Sequence, residues 1–233
     1  MKQLKKFRWS ITVLIIHLLI VLYFSTVIPG DVQIPRQWNY QGEVGSYSGR
    51  TFGLWFLWGM SFFLITFFTF FSYIDPRYAK NKERFDTILP RLMLLMAIFM
   101  ALIHVFSLLW AIDVRIIQQQ NMVFILIGAL FMLLGNILPK IPSNFFAGIR
   151  SPWTLSSDSN WHKTHRVGGY VFFIAGLLMI VRAIIMSEDP AVNSVLMVMV
   201  SALCLYPFVY SYLLFRKERS DKVIKEKKGG KDE

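Results

Sequence analysis

A single cysteine in 233 residues leaves no partner for an intramolecular disulfide and no thiolate cluster for a metal. Cys204 lies in an apolar stretch, where its role is that of a small apolar side chain. Charge is also scarce: 17% of residues are Asp, Glu, Lys or Arg, against about a quarter in a soluble domain. The charges cluster, and the long apolar runs between the clusters contain no Asp or Glu. Ion-coupled transporters commonly place carboxylates at mid-membrane to carry the coupling ion, so that class of function has no support here. Internal repeats are absent. So is any basic module interleaved with aromatics, which argues against direct nucleic-acid binding.

What is present is apolar length. Hydrophobic residues make up 55% of the chain and aromatic ones 16%. About 20 apolar residues cross a hydrocarbon core about 30 Å thick. Six runs meet that length: Trp9–Ile28, Phe52–Ile74, Ile88–Ile112, Met122–Leu138, Gly168–Met186 and Ala191–Phe215. The first follows Lys2, Lys5, Lys6 and Arg8, but it is too long for a signal-peptide core and lacks a small-x-small cleavage site, so it reads as a retained anchor. The expectation is an all-α integral membrane bundle of about six transmembrane helices. It divides into an N-terminal membrane domain (1–87), a second membrane domain (88–215) and a basic tail (216–233).

Orientation follows from Lys and Arg in the connections. They populate the N-terminus, the 75–87 loop (Arg77, Lys80, Lys82, Arg84), the 139–167 loop (Lys140, Arg150, Lys163, Arg166) and the tail. The alternate loops hold only Arg36, Arg50 and Arg115. Both termini are therefore expected in the cytoplasm, and the net charge of +11 is first a topology signal. The 75–87 connection reads as solvated. The tail reads as a brief continuation of the last helix that frays at Gly229–Gly230.

Four ionisable residues fall inside the spans: His17, Arg91, His104 and Arg182. Arg91 can snorkel to the headgroups. Counted along the helices, His17 lies roughly 12 Å in and His104 roughly 24 Å in, which separates the two histidines and sets His104 near the depth of Arg182. A neutral His104 facing the bundle is one reading, and an outer-leaflet site of His104 with Arg182 is the other. The outer loop 29–51, rich in Pro, Gly, Asn and Asp, reads as turn-rich and irregular. Its Trp38, Tyr40 and Tyr47 are candidates for the outer interface or for recognising an external molecule.

The inner loop 139–167 is the least ordinary segment, within the stretch "GNILPKIPSNFFAGIRSPWTLSSDSNWHKTHRVGG". Pro139 and Pro142 end the fourth helix. Gly148 permits a backbone geometry closed to other residues. Ser156 is expected to cap a helix with Asp158 in its first turn, and Trp161 to Arg166 reads as an amphipathic surface helix running into the fifth span, with Trp161, Thr164 and His165 on one face. His162 and His165 share metal-ligand spacing but lack further ligands, so no metal or other cofactor is expected. An enzymatic site using His165 with Thr164 or another hydroxyl is an alternative to a binding surface, and no catalytic residue is assigned. Asn136, Asn144, Arg150, Trp153, Thr154, Trp161, His165 and Arg166 are the candidate binding residues, because guanidinium groups and indoles are the usual interface anchors. Pinning to phosphate headgroups is the plainer role for the same residues.

That stretch resembles the signature of the SdpI family, immunity proteins against the sporulation-delaying peptide toxin of Gram-positive bacteria. Gly135, Asn136, Pro139, Asn144, Gly148, Arg150, Pro152, Trp153, Trp161, His165, Arg166 and Gly169 are among the matching positions. Ser151 stands where the family usually has Thr, and no acid follows Ser156. The first half resembles the small membrane domain that often precedes this signature. Pro35, Trp38, Asn39 and Gly42 fit its outer-loop motif, while Arg50 replaces the usual Lys and the second helix lacks the usual Pro. The resemblance implies a multi-pass protein of the bacterial plasma membrane, no enzyme, that protects its cell from a membrane-active peptide toxin. Some relatives also act as receptors that hold a cytoplasmic transcriptional repressor at the bilayer.

Overall fold

A computed structural model describes residues 2–39, 43–114, 119–185 and 190–229. Six helices are long and apolar enough to cross a membrane. We label them α1 (Arg8–Val27), α2 (Arg50–Thr69), α3 (Lys82–Ala111), α4 (Gln119–Ile137), α5 (Asp158–Ile185) and α6 (Pro190–Gly229). The distribution of side chains is that of a membrane protein. Ile184 and Val198 are each 70% exposed, while Ser10, His17, Ser61, His104, Ser107 and Thr164 are buried. Lipid solvates apolar side chains as well as a protein core does, so helix contacts rest on small and polar residues.

The helices pack as two sets of three. α1, α2 and α3 contact one another, as do α4, α5 and α6 in the order α4–α5–α6, and α3 meets α4 between the sets. The division drawn at residue 87 from the sequence falls inside α3. The closest approach is α4 on α5. A Cβ at Gly128 would lie 2.7 Å from the Gly176 carbonyl oxygen, and one at Gly135 would lie 2.6 Å from that of Gly169. Gly128 and Gly135 recur seven residues apart on α4, as do Gly169 and Gly176 on α5, so each pair falls on one helix face. Backbone meets backbone along that seam.

Three expectations need correction. The outer loop is regular: β1 (Ile34–Trp38) and β2 (Val44–Ser48) form an antiparallel hairpin with an irregular register. Pro35 and Gly45 stand within the strands, and Ile34 is buried against Leu54 and Leu108. Ser107 donates to the Pro35 carbonyl (2.5 Å), and Asn39 closes the tip through its side chain and backbone with Glu43. Tyr40 and Gly42, like Arg115, lie outside the described residues. Arg50 donates to the carbonyls of Ile28 (2.8 Å) and Ser25, the C-terminal end of α1, where a cation complements the helix dipole.

The tail is the second correction, since α6 continues as helix to Gly229 instead of briefly. At 40 residues it is about 60 Å long, twice the hydrocarbon thickness. Trp161–Arg166 does run into the fifth span: it is the first part of α5, with Trp161, Thr164 and His165 buried on one face as the spacing required and His162, Lys163 and Arg166 exposed. Third, Ser156 is not an N-cap. It ends a single turn, Pro152–Ser156, capped by Ser151, and Ser157 accepts from the Asn160 N–H at the start of α5. A capping box is complete one turn earlier, at Ser151, with Thr154 where Glu or Gln is usual. Asp158 does stand in the first turn of α5.

Candidate functional site

Residues 138–157 fold into a cap over the bundle face that carries the N-terminus. Ion pairs mark that face: Lys6 with Asp86 (2.7 Å), Lys80 with Asp158 (3.0 Å) and Lys163 with Glu218 (3.4 Å). All three are partly exposed, so each contributes little to stability on its own.

The cap is organised by Asn144, which is fully buried. Its Nδ2 donates to the Pro142 and Ala147 carbonyls (2.8 and 2.9 Å), and its Oδ1 accepts from the Phe146 and Ala147 N–H groups (2.8 and 2.6 Å). One side chain thus satisfies four backbone groups that a helix or sheet would otherwise pair. The turn that follows needs Gly148, whose φ is +111° and whose Cβ would strike the His165 ring. The absent side chain lets His165 Nε2 accept the Ile149 N–H (3.0 Å). Nδ1 of the same ring lies 2.9 Å from the Trp161 carbonyl and must be the protonated nitrogen, since a carbonyl can only accept. The ring stacks on Trp161, centroids 4.0 Å apart, and the indole N–H donates to the Ile141 carbonyl (2.9 Å).

Thr154 and Asn160 complete the frame. Thr154 Oγ1 donates to backbone in the Ile149–Ser151 turn, Ser151 Oγ lies 3.0 Å from Ser211 Oγ, and Asn160 Nδ2 donates to the Ser211 carbonyl (2.9 Å). The cap is thereby tied to α6. On the opposite side it is tied to the 75–87 connection, which the sequence reading treated as merely solvated. Asp75 is buried, and its two oxygens accept the Arg77 and Phe145 N–H groups (2.7 and 3.0 Å). Arg77 donates to Ser143 Oγ and the Leu155 carbonyl and lies over the Phe145 ring. Asp75, Arg77, Ser143, Asn160 and Ser211 belong to the frame, but only Asp75–Pro76, a turn-forming pair beside a span, hinted at it in the sequence.

The eight candidate residues divide into two groups. Asn144, Thr154, Trp161 and His165 are fully buried and hold the cap. Asn136, Arg150 and Arg166 are exposed, and Trp153 is half-buried against Tyr212, ring centroids 5.0 Å apart. Arg150 donates to the Phe145 carbonyl on the cap's outer surface (2.6 Å), and Asn136, at the end of α4, accepts from Lys140 (3.0 Å). His165 and Thr164 do not address each other. Both ring nitrogens are used by backbone, and Thr164 Oγ1 donates to Asn160 Oδ1 (3.1 Å). His162 points to solvent while His165 is buried, and among the described residues no three His, Cys, Asp or Glu side chains converge.

A second polar cluster lies toward the hairpin. His17 Nε2 and His104 Nδ1 are 2.8 Å apart, and His104 Nε2 lies 2.9 Å from the Gly53 carbonyl. This overturns the separation expected from helix counting, and with it the pairing of His104 with Arg182. Arg182 instead donates to Asn193 (2.8 Å) and Asn121 (2.7 Å). Counting residues fixed each depth only relative to that helix's own end and not to its neighbour. Since Gly53 can only accept, His104 carries its proton on Nε2, and in a neutral pair His17 donates. A double-mutant cycle of His17→Phe and His104→Phe, read by unfolding in detergent, should show a coupling of about 1 kcal/mol. Strict additivity would deny that the two rings interact.

Residues 140–211 match the SdpI/YfhL protein family. The matched segment, under half of the chain, is similar to that family and runs from the end of the turn after α4, through most of the cap and all of α5, to Ser211 on α6, the residue that anchors the cap. No curated protein and no solved structure matches the chain. The chain is a multi-pass membrane protein, and the matched segment contains the hydrogen-bonded cap and its anchor on α6.

Proposed function

We propose that this chain is an immunity protein of the bacterial plasma membrane, protecting its cell from a membrane-active peptide toxin by binding. The observation that carries the reading is the coincidence of the SdpI-family match with a rigid, internally satisfied cap. A surface that must hold arginines and an indole in place for a partner benefits from such a frame. The concentration of Lys and Arg on the cap face supports a cytoplasmic location for it and for both termini. Contact falls to Arg150, Trp153, Arg166 and Asn136, while His165 positions the backbone and acts on no substrate.

In a toxin-sensitive strain expressing the chain, Arg150→Ala combined with Trp153→Ala should reduce survival under toxin challenge at least tenfold, at equal protein level in the membrane. Loss of about 1–2 kcal/mol per anchor is enough for that. Undiminished survival at equal protein level would remove the cap surface from the protective mechanism.

A further inference from the structure

The hairpin does not lie flat on the bundle. Beneath it, between β1 and the ends of α2 and α3, is a cleft of about 50 Å³ walled by Pro35, Phe52, Phe56 and Leu57. Its polar groups are mostly committed: His104 Nε2 to the Gly53 carbonyl and Ser107 Oγ to the Pro35 carbonyl. One is not. Trp38, which lines the cleft, has a buried indole N–H with no acceptor among the described residues. A buried donor left unpaired is unfavourable, and such groups in native proteins are rare enough to need a reason. At the cleft's edge stands Arg36, exposed, and at its mouth Phe52 and Phe56 are 46% and 42% exposed.

We infer that this cleft binds the C-terminal turn of an apolar helical peptide, with a terminal carbonyl or carboxylate accepting from Trp38 Nε1 and Arg36 beside it. Three features select that occupant. Within a bilayer, helices satisfy their own carbonyls except in the last turn, so a helix C-terminus is the apolar peptide's one source of free acceptors. That same end carries the negative pole of the helix dipole, which Arg36 complements. The volume suits one apolar side chain: a water needs only about 10–15 Å³ of such space, whereas a whole acyl chain needs far more. The inference extends the immunity reading by naming a peptide end and a second contact region on the hairpin face, opposite the cap.

The test uses the full chain, labelled with ¹⁵N-tryptophan, in phosphatidylcholine nanodiscs. The probe is a designed 20-residue Leu/Ala helix with a free C-terminal carboxylate. Trp38→Phe keeps the ring, removes the N–H and identifies the Trp38 indole signal, while the other indole signals report that the fold is retained. Titration should move the Trp38 signal downfield, and Trp38→Phe should weaken binding about tenfold. Arg36→Gln, an exposed change, should weaken binding several-fold and reduce the preference for a carboxylate over an amidated C-terminus. A Trp38 signal that stays in place at saturating peptide would overturn the inference. Equal affinity of both variants would do the same, as would a shift produced by adding phosphatidylglycerol with no peptide. Because the peptide is designed, this titration can fail while protection against toxin stands, and protection can fail while the titration succeeds.

Discussion

Replacing Gly148 by alanine is expected to lower the free energy of unfolding by about 3 kcal/mol and to open the cap to trypsin at Lys140 and Arg150. Two effects act together. The backbone holds φ at +111°, a region that costs an L-residue about 1–3 kcal/mol. The new methyl would also collide with His165, which is held between two backbone hydrogen bonds and the Trp161 face and cannot turn aside cheaply. If the ring yields, the buried Ile149 N–H loses its acceptor, at a further cost of about 1–3 kcal/mol. The control is Gly59→Ala in α2, where a Cβ meets nothing within 4 Å and a helix interior favours alanine. Unfolding in detergent micelles and the trypsin cleavage rate measure both variants. Equal stability of Gly148→Ala and the parent would mean that the cap is not held as described.

The second large effect concerns the seam between α4 and α5. A Cβ at Gly176 would fall on the Gly128 carbonyl oxygen and lie 2.8 Å from the Met132 nitrogen, both backbone atoms. Neither can move without moving its helix. Gly176→Leu must therefore separate α4 from α5, with a loss of at least about 3 kcal/mol, and Gly176→Ala should give a smaller loss of the same kind. Because the cap grows out of α4 at one end and enters α5 at the other, the leucine variant should lose cap protection against trypsin along with helix packing. Gly148→Ala should lose the first and keep the second. That contrast separates local from global damage, and an unchanged SDS-unfolding midpoint for Gly176→Leu would show that the helices do not meet at these glycines.

Particular residues show how far one-dimensional reading goes. Gly148 was legible as a backbone necessity, and the i, i+3, i+4 spacing of Trp161, Thr164 and His165 put them on one face, as found. The direction of that face was not legible. Indoles and guanidinium groups beside a membrane look like contact residues, whereas Trp161 on α5 is fully buried under the cap and Arg166 is exposed. Asn144 stood out as a candidate, but its role as the buried organiser of the cap was not legible, because the four backbone groups it satisfies converge only once the loop is folded. The hairpin was hidden for a related reason. Its pairing joins residues across a tip rich in turn formers, and its apolar anchor, Ile34, finds its partners on α2 and α3.

Hydropathy and the placement of Lys and Arg determined by themselves that the chain is a six-helix membrane protein, because solvation by lipid depends on the composition of about 20 neighbouring residues. The pattern across residues 135–169 likewise carried the family likeness unaided. Only the tertiary structure decided that His17 meets His104, that Asp75 and Arg77 brace the cap, and that Trp38 hangs over a cleft. Those contacts join side chains tens of residues apart, and a partner at that range is set by how helices incline and pack, which no local stretch of sequence encodes.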